Sequence, residues 1–294
     1  MTISVVIITY KRIQELKETI DSLLEEKDAF DELILVDNCS MDGTKEYGIF
    51  LEQQEEKVKF YSLDSNLGVA GGRNYAIEKA TGDILVFLDD DAVFENQGCF
   101  SKIRQVFSEN EKLGALAFRI INFYTGEMRS EEIPFTNKHL NLDEERLTSS
   151  YIGAGHAILK TVFEKCGDYP KDYFYGVEEL DLSFRIIDTG YEILYYPTVR
   201  VLHKQVKTAR VTNREKWIMA YRNRMLTSYR YLGIPYRLVI GTLLFGKIMI
   251  LSRSISAPWK GLMRYQRDKK QTAPRRVGKE AIRYMKANYG RLWL

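Results

Sequence analysis

The sequence predicts an α/β fold: a mainly parallel central sheet flanked by helices, continued by a basic, mainly helical C-terminal region. Three observations lead there. Short apolar runs rich in β-branched residues alternate with segments of helical periodicity. Polar residues with chemical capacity fall just after those runs, at what would be the carboxyl edge of the sheet. The charge balance changes sign near residue 205, with 22 Lys+Arg against 37 Asp+Glu before it and 21 against 3 after it.

Ser4–Thr9 reads as a strand covered on both faces, and Ile13, Leu16, Ile20 and Leu23 follow at helical spacing. Glu32–Val36 is a second strand, and the polar stretch 37–43 turns into another helix. Val58–Leu63 is a third strand. A glycine-rich loop, Asn66–Gly72, opens a helix that stops near Gly82, and Ile84–Leu88 is a fourth strand. Strand–helix alternation of this kind implies right-handed crossovers between parallel strands. Further on, a helix is expected around Phe100–Glu109, a strand around Gly114–Asn122 and a polar loop over Thr125–Arg146. Tyr151–Leu159 is apolar and glycine-containing. A helix over Glu178–Asp188 with Gly190 at its C-cap precedes strands at Glu192–Tyr196 and Thr198–Leu202.

Composition excludes disorder, collagen and a multi-span membrane protein: 45% of the 294 residues are hydrophobic and 28% charged. Cys39, Cys99 and Cys166 are odd in number and form no C-x-x-C pair, so neither a zinc site nor a disulfide framework is indicated. The N-terminus lacks a basic segment and a small-residue cleavage site, and a reducing cytoplasm is the expected location.

Asp89-Asp90-Asp91 closes the fourth strand, and residues two apart on an extended chain face the same way, so Asp89 and Asp91 can share a site. Clustered carboxylates repel unless a cation or solvent relieves them, and Mg²⁺ takes few carboxylates alongside phosphate oxygens and water. Read alone, the triplet is equally a solvated acidic turn. Asp37 ends the second strand, where it can accept from a nucleobase or ribose or simply cap a turn. In Asn66–Asn74 the glycines permit close ligand approach and Arg73 offers a fork for phosphate or carboxylate. The spacing is neither a dinucleotide fingerprint nor a P-loop. Glu178-Glu179-Leu-Asp181 opens a helix with three carboxylates, which suits the helix dipole or a general base. His203 stands in a His-poor chain, either structural or completing a metal shell beside Asp91.

Taken in order, these segments resemble the family 2 glycosyltransferases with the GT-A fold, a Rossmann-like plan. The resemblance rests on Val5–Arg12, Ile34–Asn38, Asn66–Asn74, Leu88–Asp91, Gly153–Gly155, Glu178–Arg185, the stretch Gly190-Tyr-Glu-Ile and His203, and covers roughly residues 3–204. It implies a catalytic domain over 1–204, with nucleotide-sugar binding in 1–95 and an acceptor and base region in 96–204, and a C-terminal region over 205–294. Thr9, Tyr10, Arg12, Asp37, Asn66, Gly71, Arg73, Asp89 and Asp90 would line the nucleotide-sugar. Asp91, Asp89 and His203 would hold Mn²⁺ or Mg²⁺. The family's acidic base pair falls on Glu178-Glu179, which makes Glu179 the implied base, with Asp181 and Glu178 as alternatives. The implied reaction is inverting transfer from a nucleotide-sugar to an acceptor hydroxyl. Similarity is greatest to the rhamnosyl- and galactofuranosyltransferase-like branch, which implies a UDP- or dTDP-sugar, a glycan or lipid-linked acceptor and surface polysaccharide or glycoconjugate assembly.

Leu238–Leu251 is apolar except for Lys247; at 14 residues it falls short of the ~20 that span a bilayer. It is either a buried helix or an interfacial one flanked by arginines. A basic tail with interspersed Trp and Tyr suits anionic lipid headgroups, and a peripheral contact with the cytoplasmic face of the membrane is expected. No nucleic-acid module is present. A sugar nucleotidyltransferase would want a glycine-rich loop after the first strand, where Thr9-Tyr10-Lys11-Arg12 stands. The other rival is a degenerate domain retained as a membrane-associated binding module, against which the complete acidic set argues.

Overall fold

The computed structural model describes residues 1–206 and 212–293. Its first half is built on β1 (Ile3–Thr9), β2 (Glu32–Asp37), β3 (Val58–Ser62) and β4 (Ile84–Asp89), joined by α1 (Ile13–Leu24), α2 (Thr44–Gln54) and α3 (Gly68–Lys79). The four strands are parallel in the order β3-β2-β1-β4. Side chains alternate between two cores, as the two-residue strand period requires. Val5 and Ile7 enter the core beneath α1 with Leu16 and Ile20, whereas Val6 enters the one that receives Ala70, Ala76 and Ile77 of α3. Both faces are therefore covered, and β-branched residues crowd the centre. Thr9 pairs with Asp37, and Ile8 with Asp89, so three strands deliver their terminal polar residues to one edge.

The second half of the sheet mixes directions. β8 (Gly155–Leu159) is antiparallel to β4 and to β6 (Leu113–Asn122), and β6 runs parallel to β9 (Glu192–His203). β9 is one twelve-residue strand where the sequence suggests two. Its register against β6 shifts between Tyr196 and Arg200, and Pro197, which lacks the N–H a ladder uses, lies in that irregularity. Two short strands escape sequence reading because three residues carry no period: β5 (Ala92–Phe94) and β7 (Arg146–Thr148), both antiparallel to β9. Helices α4 (Cys99–Glu109), α5 (Lys160–Cys166) and α6 (Glu178–Asp188) flank this half, with Gly190 at φ +89° just after α6.

The C-terminal region is helical, as expected: α7 (Asn213–Tyr231), α8 (Ile234–Ser252), α9 (Ser256–Asp268) and α10 (Lys279–Ala287). The boundary near 205 is one of charge and not of packing, because Tyr231, Leu232, Ala281 and Met285 share a core with Leu182, Phe184, Ile186 and Ile193. The helix over the apolar stretch is longer than the sequence suggests, and one of its two readings is set aside. α8 is 19 residues long, about 28 Å at the helical rise, so by length and composition it could cross a membrane. It is not a buried helix: of its apolar residues only Ile240 and Ile248 are buried, while Leu238 is 67% and Ile250 72% exposed. An apolar run reports hydrophobicity but not the partner that covers it.

Candidate active site

The acidic triplet divides its side chains between two environments. Asp89, last in β4, is partly exposed, whereas Asp90 and Asp91 are buried. Asp90 accepts hydrogen bonds from Thr9 Oγ1 (2.8 Å) and Arg12 Nη1 (2.8 Å), and its carbonyl accepts from Thr19 Oγ1 (3.0 Å). It thereby locks β4 to β1 and α1, and burial pushes its carboxyl up to about 7 against the pull of Arg12. Thr9 and Arg12, which the sequence suggests as ligand contacts, are engaged here with Asp90.

β5 brings the third member to the site. Ala92 pairs with His203 in the antiparallel β5–β9 ladder, and Asn122 of β6 pairs with it from the other side. His203 Nε2 lies 3.3 Å from Asp91 Oδ1 and 3.8 Å from Asp89 Oδ2. Oxygen and nitrogen ligands on adjacent vertices of an octahedral Mg²⁺ shell stand about 3 Å apart, so the spacing is of the right size. Asp91 Oδ2 accepts from Val206 N (2.8 Å), whereas Oδ1 is buried, receives no hydrogen bond from the described residues and lies 3.6 Å from Arg12 Nη1. A buried carboxylate oxygen without such a donor, facing an imidazole nitrogen and a second carboxylate, fits a divalent cation. Without one, burial opposes the imidazolium of His203 but the contacts with Asp91 and Glu132 outweigh it, lifting His203 to about 9. Asp91 is held below the usual carboxylate range, because His203 and Arg12 overcome its burial.

Glu132 carries no mark in the sequence: no periodicity or motif surrounds it. It sits in a 3-10 turn of the polar 125–146 loop, is 4% exposed, and its Oε1 lies 3.0 Å from His203 Nδ1. Asn38, at the end of the Ile34–Asn38 stretch, has an Nδ2 that donates to Gly68 O (3.1 Å) and an Oδ1 that accepts from Leu67 N (2.9 Å), clamping the glycine loop to the end of β2. Asn66 caps that loop, its Oδ1 accepting from Gly68 N (2.8 Å). Asp37 is buried at the same edge, accepting from Ser40 N (2.9 Å) and Ser62 Oγ (3.2 Å). Tyr10 follows β1, half-buried, with Lys11 Nζ 5.1 Å from its ring centroid. Gly71 lies in the first turns of α3, where a Cβ would come within 2.5 Å of Leu67 Cβ.

Arg73 of α3 connects the triplet to the candidate base. Its Nη1 donates to Glu179 Oε1 (2.9 Å), its Nη2 donates to Gly153 O (3.0 Å) and lies 3.6 Å from Asp89 Oδ1. Burial works against its charge, but Tyr169, Glu179, Asp89 and Glu178 more than compensate and raise its pKa. Gly153 makes the approach feasible, since a Cβ there would stand 2.1 Å from Glu179 Oε1 and 2.9 Å from Arg73 Nη2. Glu178 is 3% exposed and pushed up to about 8, first by burial and then by Glu179. Val177, directly before it, has φ +76°, a conformation that strains a β-branched residue and sets where α6 begins. Of the three acidic residues, Glu179 alone keeps substantial exposure, with 19% of its side chain open. Asp181 is 1% exposed and fully engaged, accepting from Arg185 Nε (3.2 Å), Tyr231 Oη (3.0 Å) and Arg230 Nη1 (3.1 Å). So engaged, Asp181 ties α6 to α7.

The sequence matches the model of "Glycosyl transferase family 2" over residues 4–167, more than half the chain. The chain belongs to this family. An uncharacterized protein of Haemophilus influenzae is 38% identical over 174 residues, covering 57% of this chain and 92% of the relative. The O-antigen chain rhamnosyltransferase WbaN of Salmonella anatum is 26% identical over 192 residues, 61% of this chain and 58% of WbaN. Among solved structures, the mannosyltransferase PcManGT of Pyrobaculum calidifontis, in complex with GDP-Man and Mn²⁺, superposes with TM-score 0.59 at 17% identity, over 92% of this chain and 76% of that one. GalNAc-T7 with UDP, GalNAc and Mn²⁺ gives TM-score 0.66 at 16% identity, over 93% and 58%. These likenesses show that this family 2 glycosyltransferase has the GT-A fold.

Proposed function

We propose that the chain is an inverting, metal-dependent transferase that moves a sugar from a UDP- or dTDP-sugar to a hydroxyl of a glycan or lipid-linked acceptor, in cell-surface polysaccharide or glycoconjugate assembly. The observation that carries this reading is the Asp89, Asp91 and His203 constellation, three ligand-bearing side chains gathered at the edge where β1, β2 and β4 end. WbaN supports sugar transfer by the activity in its name, and PcManGT and GalNAc-T7 support a nucleotide with Mn²⁺ by the ligands in theirs, although the GDP-Man of PcManGT does not favour the UDP- or dTDP-linked donor.

Asp91, Asp89 and His203 would hold Mn²⁺ or Mg²⁺, which when bound neutralises negative charge on the diphosphate leaving group. Thr9, Tyr10, Arg12, Asp37, Asn66 and Gly71 border the nucleoside side, where Asp90 fixes the ends of β1 and β4. Glu179 takes the proton of the acceptor hydroxyl as that oxygen forms its bond to the anomeric carbon. The bond from that carbon to the diphosphate breaks on the opposite face, and the electron pair leaves with the nucleoside diphosphate. Arg73 holds Glu179 in register with Asp89, so base and donor site are set by one rigid cation. Residues 1–204 would carry this chemistry at the cytoplasmic face, and the basic 205–294 region would bring it to the membrane.

The test is a panel of UDP-, dTDP- and GDP-sugars, followed for nucleoside diphosphate release with and without Mn²⁺. Metal-dependent release from a UDP- or dTDP-sugar, abolished in Asp91→Ala, is expected. Equal binding of donor by wild type and Asp91→Ala, with or without Mn²⁺, would defeat the metal site. A preference for GDP-sugars would defeat the placement of Asp37, and pyrophosphate release would indicate a nucleotidyltransferase.

A further inference from the structure

One stripe of α8 is seated on the protein, and the opposite face is bare. Ile240 and Ile248, eight residues apart, are fully buried. Between them, Gly241 O accepts from Tyr221 Oη of α7 (3.3 Å), and the Phe245 and Tyr221 rings meet edge to face at 6.1 Å. The far face leaves Val239, Leu243 and Ile250 exposed, and at the start of the helix Ile234 and Leu238, which continue the seated stripe, are exposed as well. The neighbouring α9 adds Trp259 and Met263, one helical turn apart and 55% and 56% exposed. Soluble monomers rarely leave so much contiguous apolar surface in water.

Charge identifies what covers it. From 234 to 267 the chain has no Asp or Glu, but it has Arg237, Lys247, Arg253, Lys260, Arg264 and Arg267. Lys247, Arg253 and Lys260 are exposed on the same two helices and their junction, whereas Arg267, also exposed, is paired with Asp268 (2.6 Å). Apolar residues rimmed by cations, with tryptophan beside them, suit a layer with anionic headgroups over hydrocarbon. Because its other stripe is fixed to α7, α8 can meet such a layer lying in its plane, although its length alone would permit crossing.

We propose that the exposed face of α8 and α9 is an in-plane docking surface for an anionic lipid bilayer. This deepens the membrane contact proposed above and does not depend on the donor chemistry.

The experiment sediments the full chain with vesicles of phosphatidylcholine, or of phosphatidylcholine with phosphatidylglycerol. Wild type should bind the anionic vesicles, release in high salt, and bind pure phosphatidylcholine far less. Leu243→Glu/Ile250→Glu places charges at exposed positions of that face and should weaken binding tenfold or more, on the order of the insertion penalty of two carboxylates. Lys260→Glu should weaken it by roughly fivefold at low salt. All variants should match wild type in thermal melting and in donor hydrolysis without vesicles, which separates failure of docking from failure of the catalytic reading. Undiminished binding by the double variant overturns the proposal, as does absence of wild-type binding. A wild-type dimer that the double variant converts to monomer also overturns it, by showing that a second copy covers the face. Binding that resists both high salt and alkaline carbonate would mean that α8 crosses the bilayer, overturning the in-plane geometry.

Discussion

Glu132 Oε1 lies 3.0 Å from Nδ1 of His203, and the other ring nitrogen of that histidine faces Asp91 Oδ1 at 3.3 Å. A carboxylate behind a metal-facing imidazole fixes both ring orientation and the nitrogen left free to bind. Removing it by Glu132→Ala is expected to weaken Mn²⁺ binding by about 10–100-fold, as such outer partners typically do. Titration calorimetry with Mn²⁺ alone reads this directly. Affinity equal to wild type would show that β5 and β9 place His203 unaided.

Gly153→Ala tests the link between Arg73 and Glu179. The added methyl would stand 2.1 Å from Glu179 Oε1, so that carboxylate must shift from its place. If Glu179 is the base, kcat should fall on the order of 100-fold, the scale of a misplacement near 1 Å, with donor KM little changed. A normal kcat would remove Glu179 from that role.

Asp181→Ala should behave as a structural lesion. It strips the shared anion from Arg185, Arg230 and Tyr231, and breaking a buried pair from one side costs about 3–5 kcal/mol. Urea denaturation should register that loss, while the protein that remains folded keeps a near-normal kcat. The reverse pattern, intact stability with lost turnover, would restore Asp181 as a candidate base.

Glu178 sets a pH dependence. Its native pKa of about 8 exceeds its ordinary 4.5, so the folded state holds the proton more tightly than the unfolded one. The associated stability is fully present below pH 4.5 and is lost as pH rises through 8. Glu178→Gln keeps the shape without the charge, and should be more stable than wild type at pH 9 by about 1 kcal/mol or more. Metal-free melts from pH 5 to 9 should show a flatter profile for the variant, with the slope from Asp90 and His203 remaining. Parallel profiles would show that Glu178 is already ionised at neutral pH.

Much of the donor side is legible in the amino-acid sequence. Strand period, β-branched runs and helical spacing are local properties, so β1 to β4 and their helices can be read in order, and the carboxyl ends of the strands place Asp37 and Asp89 to Asp91 at one edge. The helix Glu178–Asp188 is legible to the residue, because its acidic start and the glycine after its end are local too.

The sequence by itself determined the parallel half of the sheet, the position of the acidic triplet and the change of charge near 205. Tertiary structure alone decided what those groups touch. Glu132 meets His203 across 71 residues, and Arg73 meets Glu179 across 106. Asp181 and Glu179, two residues apart on one helix, point to opposite fates: one is saturated by α7, the other is left open beside Arg73. α8, apolar enough for a core, is mostly exposed because only one of its stripes finds a partner. A pattern along the chain reports which way a side chain faces, but which charge or surface stands opposite is set by contacts between distant segments, and those form only when the sheet closes.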